Sequence, residues 1–155
     1  MPPTIRYDSP AFDALAAELA RGFGGANGSG DGSVVLFAGA GADARHVALG
    51  RLADAAHLPL TIVPLDTRDD ARPAAVQGNL REVFDAAGAE LSVLCLDHAD
   101  EFFRHAAEGA APGALTAVGY LFERAKRFRG LVVVCLSDPA LVAAAAGEAR
   151  AVVTF

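Results

Sequence analysis

The stretch VVLFAGAGADARH, residues 34 to 46, runs from an apolar β-like segment through a glycine-rich turn into the start of a helix. The same alternation of apolar runs and helical segments continues to the end of the chain. A sheet with one wet face would show alternating apolar and polar residues, so these continuous runs predict a parallel sheet buried on both faces. We therefore expect an α/β fold, a three-layer sandwich with a five-stranded parallel sheet. The predicted strands are residues 34–38, 60–65, 91–96, 131–136 and 151–155.

The segment before the first strand is predicted to be a helix followed by a linker. Ser9 is a candidate N-cap, and Pro10 suits the first helical position. The helix ends in GGANGSGDG, residues 24 to 32, a composition typical of flexible linkers. We expect residues 1–32 to form this helix and linker and residues 33–155 to form the α/β domain. The helices expected between the strands are residues 45–56, 74–87, 100–107, 114–127 and 139–146.

The composition argues against several classes of function. With 13 Lys and Arg against 19 Asp and Glu, the formal net charge of −6 argues against nucleic-acid binding, which requires clustered cations. Cys95 and Cys135 lie in apolar runs, where we expect buried thiols in a reducing compartment rather than a zinc site. We find no signal peptide and no apolar run long enough to span a membrane. These features predict a cytoplasmic protein that binds neither nucleic acid nor membranes.

The residues that follow the strands are the candidates for function, because open parallel sheets bind ligands beyond the carboxyl ends of their strands. The predicted ends are Gly39 to His46, Asp66, Asp97 to Asp100, and Ser137 with Asp138. The first of them, GAGADARH, follows a strand and opens a helix. This is the setting in which backbone N–H groups and a helix dipole bind phosphate.

Two phosphate-binding motifs fit this turn in part. A Walker A loop, G-x-x-x-x-G-K-[ST], finds Gly39 but has Ala44, Arg45 and His46 at its last three fixed positions. The dinucleotide motif G-x-G-x-x-G/A fits fully through Gly39, Gly41 and Ala44. The turn alone therefore favours dinucleotide binding, for which Asp66 is the candidate ribose ligand. A third interpretation is that the glycines only permit a tight turn.

Three further blocks of sequence resemble AAA+ ATPases. NLREVFDAA, residues 79 to 87, is similar to the helix before the Walker B strand, and LSVLCLDHADEFF, residues 91 to 103, is similar to the Walker B block. YLFERAKRFRGLVVVCLSDPALVAAAAGEARAVVTF, residues 120 to 155, resembles the sensor 1 strand, the arginine-finger helix and the final strand. The resemblance covers residues 33–155 and implies a P-loop NTPase fold of the AAA+ type, without the helical lid that follows it in the family.

The resemblance also implies which residues stand at the catalytic positions. Arg45 takes the place of the phosphate-binding lysine, and His46 replaces the hydroxyl residue that ligates Mg²⁺. Asp97 matches the Walker B aspartate that helps to hold Mg²⁺, whereas His98 replaces the glutamate that activates water. Ser137 stands at the sensor 1 position. Imidazole is a poor ligand for a hard, oxygen-preferring ion, so metal binding is expected to be weak.

Other departures from the family pattern imply weaker catalysis and, at the pore position, a loss of substrate threading. Asp43 lies inside the expected phosphate cradle, where a carboxylate about 4 Å from a phosphate would cost about 4 kcal/mol at an effective dielectric near 20. Gly147 and Glu148 stand where relatives carry arginines that reach a neighbouring subunit, and Arg72 and Pro73 stand near the place of the aromatic pore residue.

The sequence therefore predicts a degenerate AAA+ ATPase-like domain that is structural or regulatory, binds ATP and Mg²⁺ weakly and requires neither. Its expected partner is an active AAA+ subunit or an adjacent domain, and the resemblance allows an oligomer. The alternatives are a weakly active ATPase, in which Asp97 and His98 are catalytic and Asp97 holds Mg²⁺, and a Rossmann-like dinucleotide-binding module. The candidate nucleotide-binding residues are Gly39, Ala40, Gly41, Ala42, Asp43, Ala44, Arg45, His46 and Ser137.

Overall fold

The structure is a computed structural model, which describes residues 3–24, 33–39, 42–64, 84–85, 92–100, 121–125, 128, 130–145 and 149–155. Its strands are β1 (Thr4–Arg6), β2 (Ser33–Ala38), β3 (Leu60–Pro64), β4 (Ser92–Asp97), β5 (Gly130–Leu136) and β6 (Ala151–Thr154). Its helices with described bounds are α1 (Pro10–Gly24), α2 (Ala42–Ala56) and α3 (Pro139–Ala145).

All strands belong to one parallel sheet with the order β1-β6-β2-β5-β4-β3. The five predicted strands are present within one or two residues of their expected bounds, but the sheet has six strands, so the expected number was wrong. The additional strand is β1, which pairs with β6 through Ile5 and Val153 at the edge of the sheet. With the sequence TIR it is too short to show a periodic pattern.

Both faces of the sheet are buried, which confirms the three-layer sandwich. Along β5 the side chains alternate between two cores, with Val133 in one and Val134 in the other. The α1/α2 core contains Phe12, Leu15, Leu19, Val35, Phe37, Leu49, Leu52, Val93, Cys95, Val133, Cys135 and Val153 among others. The α3 core contains Val34, Leu36, Phe84, Leu94, Leu96, Leu121, Phe128, Val132, Val134, Leu136 and Ala145 among others. Because every central strand contributes to both, its apolar run is continuous.

The N-terminal strand and helix pack in the same core as α2. Pro10 begins α1 as predicted, and the hydroxyl of Ser9 donates to the carbonyl of Arg6 at 2.7 Å. Arg51 of α2 forms an ion pair with Asp13 of α1, and its guanidinium lies 5.0 Å from the centre of the Phe12 ring. These contacts attach α1 to the domain, and the division between residues 1–32 and 33–155 stays a prediction.

The other predicted helices are described only in part. Residues 84–85 and 121–125 are helical, in agreement with the helices expected at 74–87 and 114–127. Apart from Asp100, the helix expected at 100–107 lies outside the described residues, as does the predicted linker beyond Gly24. None of the helices described is long and apolar enough to cross a membrane.

Candidate functional site

The predicted functional residues that the structure describes gather at the carboxyl ends of three adjacent strands, β2, β5 and β4. Gly39 follows β2, and its N–H donates to the carbonyl of Leu136 at the end of β5 at 3.2 Å. The N–H of Ala99, just after β4, donates to the carbonyl of Cys135 on β5 at 3.2 Å. These two bonds fix the three strand ends relative to one another. The edge that they form is therefore the candidate site.

Arg45 and Asp97 form an ion pair at this edge. Arg45 lies in the first turn of α2, and its Nη1 donates to Asp97 Oδ1 at 3.2 Å. The side chains are only 10% and 15% exposed, so the pair is largely shielded from water. Charges in such surroundings interact more strongly than on a protein surface, and each depends on its partner for compensation.

His98 supplies two further nitrogen contacts to the same carboxylate. Its backbone N–H donates to Asp97 Oδ1 at 2.9 Å, and its Nε2 lies 3.6 Å from Asp97 Oδ2. The residue has a φ of 53°, a left-handed conformation that is uncommon outside glycine and is found most often at functional sites and turns. Its ring is about half exposed. Both oxygens of Asp97 are therefore faced by nitrogen groups of the protein itself.

The donor set at this edge does not fit Mg²⁺. The ion requires near-octahedral coordination by oxygen atoms, whereas Asp97 already pairs with a guanidinium. His46, at the position of the expected hydroxyl ligand, presents an exposed imidazole. Within the described ranges, no group of three or more His, Cys, Asp and Glu side chains is arranged to hold a metal ion. A metal at Asp97 would share this carboxylate with the charge of Arg45, which contacts its Oδ1.

Asp100 connects the β4 and β5 ends; the sequence placed it among the strand-end candidates but assigned it no role. Its Oδ1 accepts hydrogen bonds from the N–H groups of Ser137, at 2.9 Å, and Asp138, at 3.0 Å. Asp138 Oδ1 in turn accepts the N–H of Ala140 at 2.9 Å, which caps the start of α3. The signal was the second acidic residue of DHAD, directly after a predicted strand, but its role depends on the neighbouring strand.

The remaining predicted residues do not converge on the ion pair to the same degree. Asp43 and His46 are exposed on α2, Ala44 is half-buried, and Ala42 begins the helix. The side chain of Ser137 is exposed. The candidate residues that lie outside the described part of the chain are Ala40, Gly41, Asp66, Arg72, Pro73, Gly147 and Glu148.

An aromatic cluster lies beside the glycine turn. The ring of Phe155 stacks on Tyr7 with centroids 5.0 Å apart and meets Phe37 edge-on at 5.1 Å. Gly39 has a φ of 130°, and a Cβ placed on it would lie 3.3 Å from the Cβ of Phe155. The backbone after β2 therefore passes close to this cluster in a conformation that favours glycine. Sequence reasoning gave Phe155 no role beside the glycine turn, because this approach depends on β2 and β6 being neighbours.

The two cysteines lie together beneath the ion pair, on the α1/α2 side of the sheet. Cys95, two residues before Asp97, has its Sγ 3.5 Å from the Sγ of Cys135, and both are buried free thiols, as predicted. The hydrogen bond with Cys135 and then desolvation raise the pKa of Cys95. Such a thiol stays protonated and is a weak nucleophile.

The raised pKa of Cys95 predicts a loss of stability at alkaline pH. The native state keeps this proton, while the unfolded chain releases it above pH about 8.5, so the free energy of unfolding should fall as the pH rises. The contribution approaches about 1.4 kcal/mol per pH unit. Urea unfolding at pH 8, 9 and 10 should show a steeper decline for the wild type than for Cys95→Ala. Equal slopes in the two proteins would contradict the assignment.

Comparison with known proteins gives a structural match without a sequence match. No protein-family model matches this chain, and no curated protein matches it significantly. The fold is similar to that of PCH-2 from C. elegans, an AAA+ ATPase, with a TM-score of 0.57 and 16% sequence identity. The match covers 97% of this chain and 44% of the PCH-2 chain, so this chain spans less than half of that protein. The domain has a P-loop NTPase fold of the AAA+ type.

The strand order of the sheet argues against the dinucleotide alternative. In a Rossmann sheet, with the order 3-2-1-4-5-6, the strand before the glycine turn pairs with the next strand in the chain. Here β2 pairs with β5 and β6, whereas β3 pairs with β4. The glycine spacing of GAGADARH therefore matches the dinucleotide motif, but the sheet that carries it does not have the Rossmann strand order. At 16% identity the comparison shows the fold, and the roles of the residues must be argued from their contacts.

Proposed function

We propose that this chain is a degenerate AAA+ module that does not hydrolyse nucleotide and serves as a structural or regulatory partner. The observation that carries the proposal is the ion pair between Arg45 and Asp97, at 3.2 Å and largely buried. It joins the residue at the phosphate-binding position to the residue at the metal-binding position. Each group that would act on a nucleotide is thus neutralised by the other.

The contacts at the site support the absence of catalysis. Hydrolysis of a triphosphate needs charge stabilisation, metal positioning and an oriented water at the same time. The charge of Arg45 is compensated by Asp97, whose Oδ1 accepts hydrogen bonds from Arg45 and from the N–H of His98. The Nε2 of His98 lies 3.6 Å from Asp97 Oδ2, so His98 faces the same carboxylate. The three groups thus contact one another, which supports the proposal that they do not polarise a phosphate or orient water.

A partner role follows from what the domain retains. The parallel sheet, both cores and the fixed strand ends are present together with the ion pair between Arg45 and Asp97. A domain that retains the fold can occupy the place of an active subunit or support an adjacent domain. We therefore propose an active AAA+ subunit or a neighbouring domain as the partner, with ATP and Mg²⁺ as weak and dispensable ligands.

The direct test is release of phosphate from ATP by the purified chain. We expect no Mg²⁺-dependent release above the rate of buffer alone, in the wild type and in Asp97→Asn alike. Including Asp97→Asn separates a contaminating ATPase from the chain itself, because a contaminant is insensitive to the substitution. Mg²⁺-dependent release by the wild type that Asp97→Asn abolishes would overturn the proposal.

A weakly active ATPase is the second candidate, since Arg45, Asp97 and His98 do lie together on an ATPase-like fold. Titration of ATP with and without Mg²⁺ separates the two candidates. Micromolar affinity that Mg²⁺ strengthens would favour the active enzyme, because it requires Asp97 to exchange Arg45 for the metal. The same titration with NAD tests the dinucleotide alternative through ligand-dependent thermal stabilisation.

A further inference from the structure

The ion pair between Arg45 and Asp97 also bears on ligand binding at this edge. We propose that Asp97 is an internal competitor of phosphate for Arg45, so that this edge is a closed anion site. Neutralising or withdrawing the carboxylate opens it to polyphosphates that carry no metal. The inference rests on the proposed function, since it assumes that Asp97 holds the guanidinium and not a metal ion.

Arg45 can bind a carboxylate or a phosphate through the same atoms. A guanidinium is charged at every accessible pH and forms hydrogen bonds with carboxylate and phosphate oxygens through the same planar fork. Its Nη1 contacts Asp97 Oδ1 at 3.2 Å, so the carboxylate occupies a direction from which a phosphate oxygen would accept. With its side chain only 10% exposed, Arg45 cannot leave the pair without losing compensation in a partly dry environment.

Asp97 is held in position by the protein backbone. Its Oδ1 also accepts the backbone N–H of His98 at 2.9 Å, and this backbone is fixed directly after β4. The competitor is therefore held in place by the sheet. The Arg45 side chain begins in the first turn of α2, where helix N–H groups also favour an anion.

The contacts of Arg45 and His98 disfavour metal-loaded polyphosphate as the ligand. Mg²⁺ bound to a triphosphate would bring a second cation towards Arg45 and would need oxygen ligands from the protein. The nearby nitrogen groups of Arg45 and His98 offer none. Metal-free polyphosphate, in contrast, supplies only the negative charge that Arg45 lacks once Asp97 is neutralised.

The test uses inorganic tripolyphosphate in the presence of EDTA as the probe, with binding measured by calorimetry and by thermal shift. We expect Asp97→Asn to bind the probe about tenfold more tightly than the wild type, because one negative charge near the anion has been removed. The gain should disappear in the double variant Arg45→Gln with Asp97→Asn. A chelator-resistant gain that requires Arg45 is a readout that a purely structural pair would not give.

Asp85 provides the matched control. It pairs with Arg124 at 2.7 Å, but it is 63% exposed and belongs to the other face of the sheet, so Asp85→Asn changes the net charge equally without opening the site. We expect it to bind the probe like the wild type. If Asp97→Asn fails to fold, Asp97→Ser serves as the second variant, since its short hydroxyl still accepts a hydrogen bond.

The outcomes separate this inference from the proposed function. Equal affinity of Asp97→Asn and the wild type for tripolyphosphate would overturn the competition, as would a gain that survives Arg45→Gln or appears equally in Asp85→Asn. Tighter binding in the presence of Mg²⁺ would overturn the metal-free preference. Hydrolysis of Mg-ATP by the wild type, in contrast, would refute the proposed function, whatever the tripolyphosphate data show.

Discussion

Gly130→Ala is expected to destabilise the domain by about 4 kcal/mol, a large part of the about 5 to 15 kcal/mol that holds a typical domain folded. Gly130 begins β5 with a φ of 138°, a conformation that side chains rarely adopt. A Cβ at this position would lie 2.1 Å from the carbonyl oxygen of Ser92 and 3.0 Å from its nitrogen. Both contacts are to backbone atoms, so no side chain can rotate away to relieve them.

The position of the two strands leaves little room for adjustment. Ser92 and Gly130 are paired in the register of β4 and β5, and β5 lies between β4 and β2 in the sheet. Moving either strand would disturb the ladders on both sides. The backbone strain and the overpacking therefore add, and each is worth about 1 to 3 kcal/mol.

Gly50→Ala is the matched control, because it makes the same chemical change in a different environment. Gly50 lies inside α2, and a Cβ placed on it has no atom within 4 Å. Alanine should stabilise this helix by about 0.5 to 1 kcal/mol. Urea unfolding of the two variants measures the contrast. A Gly130→Ala protein within about 1 kcal/mol of the wild type would show that β5 tolerates a side chain there.

Gly130 also shows how far the sequence could predict the fold. The run LVVVCL, residues 131 to 136, predicted β5 correctly, because a strand that is buried on both faces has a continuous apolar sequence. The glycine before it was not identified as a constraint. Its importance arises from the close approach of Ser92, and that contact exists only because β4 and β5 are neighbours. The periodicity of a single strand does not predict the order of the strands in the sheet.

The candidate site was predictable in its members but not in its contacts. Arg45 and Asp97 each followed a predicted strand, so the rule that parallel strands end at one edge placed both correctly. That they neutralise each other depends on the rotamer of a long side chain and on the angle of α2 to the sheet. The role of Asp100 likewise required the end of β5 as a partner. Local patterns name the candidates, and tertiary packing decides what they do.

The second large effect is expected for the pair itself. Arg45→Met should lower the free energy of unfolding by about 3 kcal/mol, and Asp97→Leu should do the same, because each leaves a largely buried charge without its partner. The values lie at the low end for buried pairs because the two side chains keep 10% and 15% exposure. The double variant should unfold within about 1 kcal/mol of the wild type, since two apolar side chains of similar length can pack where the charges met.

The single and double variants of Arg45 and Asp97 form a double-mutant cycle, which gives the coupling free energy of the pair. The exposed pair between Arg124 and Asp85 provides the reference value for a weak coupling. Its carboxylate is 63% exposed, so water and salt screen the interaction, and the corresponding coupling should stay below about 1 kcal/mol. The N–H of His98, which loses its acceptor when Asp97 is replaced, belongs to an exposed residue and can turn to water. Coupling between Arg45 and Asp97 should therefore report the charges and not a lost turn.

If the two single substitutions lowered the free energy of unfolding additively, this account would be contradicted. Additivity would mean that Arg45 and Asp97 do not stabilise each other's charge. Strong coupling, in contrast, has a consequence for function. A site whose charges are compensated within the protein does not need a nucleotide or a metal for its stability. In a nucleotide site, by contrast, the ligands compensate the charges of the lysine and the aspartate. A phosphate that binds Arg45 must replace the same interaction that the cycle measures. Stability of the empty fold and weak affinity for nucleotide would thus have one physical cause.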